Sequence, residues 1–326
     1  MTYVMLLAGI ALLIGGAEVI VRYGTRLARR LGVSPLIIGL TIVSIGTSAP
    51  ELAAGIRAMT AGSGNLLVGN VAGSNLMNLL LILGIAASIR PITLQRQAIR
   101  LDLPAMVGAT LLTLLLSLDG SLAVWEGAIL LAFAIAYTAV LIQTARREAS
   151  AENLADAVAI DDDEELPEPR RGLRFAVLDV ALLVVGIATV VLGADLLVMA
   201  AKELAAQFGV SDSLIGLTIV AIGTSLPELA TTTMATLRGA RSLAIGNLLG
   251  SSTYNLTLIL GTALLFAPGS FPLETQLLRV DMPLLVLGSL LCVPVFLTGR
   301  RVSRREGVLF MGLYTAYLTY LIALRG

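Results

Sequence analysis

The octapeptide "IGTSAPEL" at residues 45–52 returns as "IGTSLPEL" at residues 222–229, each time inside an apolar stretch. Each copy carries a proline, which removes a backbone donor and breaks an α-helix. Each also carries a glutamate, and a charged side chain at the centre of a bilayer costs roughly 2.5 to 3.5 kcal/mol on insertion scales. Irregular backbone at membrane depth is tolerated only where it lines a cavity or is buried in protein. The duplication therefore predicts two kinked helices that serve an internal polar site.

Composition places the chain in a membrane. Its 326 residues are 57% hydrophobic and 13% charged, with a mean hydropathy of +0.91, whereas soluble domains are about 25% charged. There is no histidine and a single cysteine, Cys292. This composition excludes histidine-based catalysis, thiolate metal sites and an intramolecular disulfide, so the chemistry must come from oxygen atoms.

Ten apolar stretches are each close to the roughly 20 residues that a membrane-spanning helix needs. They cover residues 2–21, 35–58, 66–88, 101–118, 122–144, 175–200, 213–236, 243–266, 281–298 and 307–324. We interpret residues 1–145 and 174–326 as two five-helix halves, and 146–173 as an acidic cytoplasmic linker. The linker's run from Asp161 to Glu165 could attract Ca²⁺, but it lacks the glycine that an EF-hand loop needs for its sharp turn.

The two halves are copies of each other. "GNVAGSNLMNLLLILG" from Gly69 matches "GNLLGSSTYNLTLILG" from Gly246, and "RLDLP" from Arg100 matches "RVDMP" from Arg279. Because each copy has an odd number of spans, the second must enter the bilayer inverted. With both termini outside, the cytoplasmic side holds all 22 basic residues except Arg57, Lys202, Arg279 and Arg325, as the positive-inside rule requires. We therefore expect an all-α polytopic membrane protein with two inverted five-helix repeats.

Neutral oxygens accompany the octapeptides on the following span of each copy. Residues spaced by four lie on one helix face, and two such stripes occur: Asn70, Ser74 and Asn78, and Asn247, Ser251 and Asn255. The glycine pairs Gly69/Gly73 and Gly246/Gly250 should let these helices approach the kinked ones closely. Two carboxylates with several neutral oxygens suit Ca²⁺. Na⁺ ions or protons can neutralise the same charges, which is the physical basis of antiport.

Other acids inside or near the spans carry weaker signals. Glu18 and Asp195 match across the repeat, and each either lines an access path or pairs with a nearby cation, Arg22 or Lys202. We expect Asp102 and Asp281 to be interfacial helix-start residues.

The doubled motif also carries a family resemblance. "GTSAPE" and "GTSLPE", followed by "GNVAGSNLMN" and "GNLLGSSTYN", resemble the two α-repeats of the sodium/calcium exchanger branch of the cation/Ca²⁺ exchanger superfamily, in its prokaryotic form. The resemblance covers all ten apolar stretches. It implies central ion sites that are reached alternately from either side as the first and sixth helices slide.

The resemblance also implies roles for individual residues. Glu51 and Glu228 would bind both Ca²⁺ and Na⁺, with the main-chain carbonyls of Thr47 and Thr224. Na⁺ would also be bound by Ser48, Ser74, Ser225 and Ser251 and by the main-chain oxygens of Ser44 and Ala221. Asn78 and Asn255 would flank the middle of the site, and Pro50 and Pro227 would kink the helices. The potassium-dependent branch has Asp in place of Asn255, and the proton-coupled branch has Gly-Asn in place of Gly46-Thr47.

These features predict an antiporter that exchanges Na⁺ for Ca²⁺ by alternating access, electrogenically and without K⁺, and that exports Ca²⁺ across the inner (plasma) membrane. The alternative is a Ca²⁺/H⁺ antiporter that uses the same two glutamates. An intramembrane enzyme finds no support, because there is neither a histidine nor a membrane-centred aspartate pair. A passive channel would lack saturable counterflow. We expect the lipid bilayer and the transported ions as partners, with no cofactor, no nucleic acid and no required oligomer.

Overall fold

The chain is almost entirely helical in a computed structural model that describes residues 2–149, 173–207 and 221–325. The helices are α1 Thr2–Leu31, α2 Pro35–Thr47, α3 Ala49–Thr60, α4 Gly64–Ile89, α5 Ala98–Leu116, α6 Val124–Ala149, α7 Leu173–Gln207, α8 Ala221–Thr224, α9 Leu226–Leu237, α10 241–264, α11 Leu277–Leu297 and α12 Arg304–Arg325. Within these ranges seven helices are long and apolar enough to cross a membrane, and the bent pair α2 and α3 would make an eighth as one span. This confirms an all-α multi-pass fold.

Two parts of the sequence-based assignment cannot be compared with the fold. The acidic linker, apart from its first few residues and its last one, lies outside the described residues, as does the beginning of the seventh predicted span at 213–220. The described helices overlap all the other predicted spans. The length of the apolar stretches was therefore sufficient to locate them.

Several of the long helices contain a π-helical turn. These turns are Gly39–Val43 in α2, Met77–Ile82 in α4, Ala98–Asp102 in α5, Asn255–Ile259 in α10 and Leu277–Asp281 in α11. Such turns are uncommon and occur frequently at functional sites. Those of α4 and α10 include or directly adjoin Asn78 and Asn255, so the irregularity falls at equivalent places in the two halves.

Two short antiparallel pairs join loops of the first half to loops of the second. Strand β1 (Ile92–Thr93) pairs with β4 (Arg301–Val302), and β2 (Ser121–Leu122) pairs with β3 (Phe271–Pro272). If successive spans cross the membrane in alternation, β1 and β4 lie on one face and β2 and β3 on the other. The strand pairing is consistent with a ten-span path.

The buried residues form two clusters. The larger joins α4, α5, α6, α10, α11 and α12 with parts of α2 and α3. The smaller cluster joins α1 and α7 to α2, to the end of α9 and to the beginning of α10. The helices α1 and α7 thus form a separate layer against the rest of the protein.

Glycines bring the backbones of α1 and α7 into contact. A Cβ atom added to Gly9 would lie 2.9 Å from the carbonyl oxygen of Gly193, and one added to Gly16 would lie 2.9 Å from that of Gly186. Since real Cβ atoms do not approach so closely, only glycine fits at these crossings. The backbones of the two helices are therefore in direct contact at these glycines.

Candidate ion-binding site

The octapeptides break their helices at equivalent serines. In the first copy α2 ends at Thr47 and α3 begins at Ala49, with a bend of 42° between them. In the second copy α8 ends at Thr224 and α9 begins at Leu226. The prolines stand at the start of α3 and α9, where a missing N–H is tolerated. The predicted kink is thus present in the first copy, and in the second the helix is interrupted at the equivalent serine. In both copies a glutamate lies in the first turn of the helix that follows.

Both glutamates are fully buried, and each accepts a hydrogen bond from the serine of the other octapeptide. The side chains of Glu51 and Glu228 are 0% exposed. Ser48 Oγ donates to Glu228 Oε1 at 2.8 Å, and Ser225 Oγ donates to Glu51 Oε1 at 3.3 Å. These reciprocal bonds place both carboxylates between the two repeats.

The threonine of each octapeptide contacts the polar stripe of the other repeat. Thr47 Oγ1 donates to Asn247 Oδ1 at 3.2 Å, and Thr224 Oγ1 donates to Asn70 Oδ1 at 3.5 Å. These bonds hold the broken helices against α10 and α4. The stripe asparagines Asn70 and Asn247 therefore orient the octapeptides.

Among the remaining predicted residues, Ser251 contacts a carboxylate. Ser251 Oγ lies 3.5 Å from Glu228 Oε1 and 3.4 Å from the main-chain oxygen of Ser44. Ser74, Asn78 and Asn255 are buried on the stripes of α4 and α10. For Ala221 only the backbone is described, at the start of α8.

Several buried oxygens of this cluster have no hydrogen-bond partner in the described part of the chain. They are Glu51 Oε2, Glu228 Oε2, Ser74 Oγ, Asn78 Oδ1 and Asn255 Oδ1. Native structures rarely leave buried polar atoms unsatisfied, so each calls for an explanation. A hard cation that binds oxygen ligands would satisfy carboxylate, hydroxyl and amide oxygens together. The chemistry of the cluster fits Na⁺ or Ca²⁺.

Glycine packing brings α10 against α2. A Cβ atom on Gly246 would lie 2.4 Å from the carbonyl oxygen of Leu36, and one on Gly250 would lie 2.7 Å from that of Leu40. The predicted close approach through Gly246 and Gly250 is confirmed. The equivalent packing of Gly69 and Gly73 would involve the segment before Ala221, which lies outside the described residues.

The two octapeptide helices differ in how they are covered. On α9 the residues Leu226, Ala230 and Met234 pack against the cluster built by α1 and α7. On α3 the equivalent positions Ala49, Ala53 and Arg57 are exposed. The α1–α7 layer therefore closes the α9 side of the site in this structure and leaves the α3 side uncovered.

Some acids outside the octapeptides have partners that their sequence positions did not reveal. Glu18 binds Arg238 at 2.8 Å, so the expected pairing with Arg22 was wrong. Asp102 stands at the start of the α-helical part of α5, where it is buried and accepts a bond from Tyr137 at 3.0 Å. Asp179 is buried between two arginines of α1. The partners of these acids are more than 30 residues away, beyond the reach of local patterns.

Comparison with known proteins identifies the family. The family model described as "Sodium/calcium exchanger protein" matches residues 1–143 and 178–323. The chain is 31% identical to the sodium/calcium exchanger MaX1 of Methanosarcina acetivorans, over 98% of both chains. It is 34% identical to the inner membrane protein YrbG of Escherichia coli, over 97% of this chain and 95% of that protein.

Solved structures of the sodium-calcium exchanger NCX_Mj are similar throughout. One obtained from crystals soaked with 10 mM Na⁺ and no Ca²⁺ superposes with a TM-score of 0.83 at 31% identity, and covers 98% of both chains. One soaked with 2.5 mM Na⁺ and 0.1 mM Ca²⁺ superposes with a TM-score of 0.82 at 30% identity. This chain therefore belongs to the sodium/calcium exchanger family.

Proposed function

We propose that the protein is a secondary active antiporter that exchanges Na⁺ for Ca²⁺ across the membrane by alternating access. The observation that carries this proposal is the pair of fully buried glutamates, Glu51 and Glu228, each with one carboxylate oxygen unpartnered in the described chain. One Ca²⁺ neutralises both charges. A set of Na⁺ ions does the same.

Exchange follows from the cost of an empty site. Two uncompensated carboxylates near the bilayer centre are unfavourable, so the conformation that moves the site between faces is accessible only when cations are bound. A carrier that changes sides only when loaded couples the two ion flows. If three Na⁺ replace one Ca²⁺, the loaded site carries one additional positive charge, and transport is electrogenic.

We assign the ligands by position in this cluster. Glu51 and Glu228 bind either ion together with the main-chain oxygens of Thr47 and Thr224. Ser48, Ser74, Ser225 and Ser251 bind Na⁺ with the main-chain oxygens of Ser44 and Ala221, and Asn78 and Asn255 lie at the middle. Support comes from the contacts that link these residues across the two repeats. An amide at Asn255 adds no third charge, which favours K⁺-independent exchange.

The finer architecture belongs to the same proposal. Ten spans form two inverted repeats, at residues 1–145 and 174–326, joined by the cytoplasmic linker 146–173. Both termini face outward from the inner (plasma) membrane, and the Na⁺ gradient and membrane potential together expel Ca²⁺. The excess of arginine in the loops assigned to the cytoplasm supports this orientation.

Flux measurements in proteoliposomes test the function. Vesicles loaded with Na⁺ should take up radioactive Ca²⁺ when diluted into Na⁺-free buffer, whereas vesicles loaded with choline and given a pH gradient should not. Uptake driven by the pH gradient and not by Na⁺ would replace the proposal with Ca²⁺/H⁺ exchange.

Substitution of the site carboxylate tests its role. Glu51→Gln keeps the shape of the side chain and removes its charge, so exchange should be abolished in a protein that still inserts and purifies as a single species. Glu274→Gln, at an exposed loop position, is the matched control and should exchange normally. Substantial Ca²⁺ transport by the Glu51→Gln protein would contradict the assignment.

A further inference from the structure

The two repeats differ one helical turn beyond the glutamates. After Glu228 the sequence reads "LATTT", with Thr231 and Thr232, whereas after Glu51 it reads "LAAGI", with Ala54 and Gly55. Both threonines are 0% exposed. Since the octapeptides are otherwise near copies, the second repeat has gained two buried hydroxyls on the half of α9 that leads away from the site toward Arg238.

One of these hydroxyls has a structural partner. Asn247 Nδ2 donates to Thr232 Oγ1 at 3.1 Å, while Asn247 Oδ1 accepts from Thr47. In the first repeat, where Gly55 replaces the threonine, Asn70 Nδ2 has no partner in the described part of the chain. Thr232 therefore completes the bond network that holds α9 against α10.

The other hydroxyl, that of Thr231, makes no hydrogen bond within the described part of the chain. Helical threonines in this chain, among them Thr110 and Thr236, donate to the carbonyl oxygen four residues earlier at 2.8 to 2.9 Å. Such back-bonding is the usual way to satisfy a hydroxyl inside a helix. Thr231 makes no such bond, and its Oγ1 atom has no partner in the described residues.

Its neighbour on the helix surface is the site carboxylate. Residues three apart lie one above the other on a helix, with Cβ atoms about 5 to 6 Å apart, and Glu228 precedes Thr231 by three. Glu228 Oε2 is also unpartnered in the described chain. Two buried residues with an unpartnered oxygen in the described chain thus follow each other along α9, in the direction of Arg238.

We propose that the Thr231 hydroxyl binds the passing ion on the access route that ends at Arg238. The opposite route, past Ala54, has no hydroxyl at the equivalent position. This inference rests on the proposed antiport. A cation that exchanges its water for protein ligands moves more easily when an oxygen replaces each lost water. The two routes therefore differ chemically, and in the proposed orientation the hydroxyl serves the cytoplasmic one.

Sided flux measurements test this step. Thr231→Val keeps the volume and removes the hydroxyl. We expect the Na⁺ concentration for half-maximal exchange to rise about fivefold, the value of one ordinary hydrogen bond, when Na⁺ is varied at the Arg238 face in inside-out membrane vesicles. In right-side-out vesicles, where Na⁺ is varied at the other face, the Na⁺ concentration for half-maximal exchange should be unchanged.

Two variants provide the controls. Thr231→Ser retains a hydroxyl and should behave as the wild type on both faces. Thr236→Val removes a buried hydroxyl that is bonded to its own helix, and should leave both values unchanged.

The outcomes separate the inference from the function on which it rests. An equal rise on both faces, or no change on either, would overturn the role of Thr231 while leaving antiport intact. Absence of Na⁺-driven Ca²⁺ flux in the wild type would instead refute the proposed function.

Discussion

Ion pairs join α1 to α7, and the burial of their side chains determines how much stability should be lost when they are broken. Asp179 of α7 is 0% exposed and binds two arginines of α1: Arg26 Nε donates to Oδ1 at 2.7 Å, and Arg30 Nε donates to Oδ2 at 2.8 Å. The Arg30 side chain is 8% exposed and the Arg26 side chain 30%. One carboxylate thus fastens the end of α1 to the beginning of α7.

Removing the carboxylate charge should destabilise the protein strongly. Breaking a buried ion pair by removing one partner costs about 3 to 5 kcal/mol, because the remaining charge loses its compensation. Asp179→Asn keeps a hydrogen-bonding group and leaves Arg26 partly in contact with solvent, so we expect the lower end, about 3 kcal/mol. Arg30→Gln should cost about 2 kcal/mol and Arg26→Gln about 1 kcal/mol, in the order of their burial.

Thermal unfolding in detergent measures this order. At roughly 2 °C per kcal/mol for a protein of this size, Asp179→Asn should lower the apparent melting temperature by ~6 °C. Arg22→Gln, at an exposed position of the same helix, is the control and should leave it unchanged. If α1 and α7 slide as one body, Asp179→Asn should also slow exchange. An unchanged melting temperature, or a larger loss for Arg26→Gln than for Asp179→Asn, would show that this ion pair does not hold α1 and α7 together.

Three further predictions concern packing, the site and pH. A Cβ atom on Gly16 would lie 2.6 Å from a methyl group of Val190, whereas one on Gly15 meets nothing within 4 Å. Gly16→Ala should therefore destabilise the protein by about 1 to 3 kcal/mol, and Gly15→Ala should not. Equal melting temperatures of the two variants would contradict the packing. Ser48→Ala removes a hydroxyl from Glu228 and should weaken apparent Na⁺ affinity about tenfold or more, measured as half-maximal exchange; an unchanged value would remove Ser48 from the site. Lowering the pH from neutral to ~5 should slow exchange, because protons compete with cations for the carboxylates; constant flux would argue against shared ligands.

Much of the fold followed from local chemistry. Apolar length locates spans because a bilayer core demands about 20 apolar residues per helix. The repeat placed Glu51 and Glu228 at equivalent positions, and the structure brings both octapeptides together. Partners that lie far apart in sequence were not predicted: the cation considered for Glu18 was Arg22 on its own helix, but Glu18 binds Arg238.

Residue type and hydrophobic context were enough to predict that two octapeptides with proline and glutamate serve one polar site inside a membrane protein, because they set the cost of a buried charge and of a broken helix. Which groups meet in that site depends on the folded structure. It shows that each serine bonds the glutamate of the other repeat, that α1 and α7 cover α9 but leave α3 exposed, and that Thr231 has no partner in the described chain. These outcomes depend on how helices distant in sequence pack, and local periodicity does not encode that.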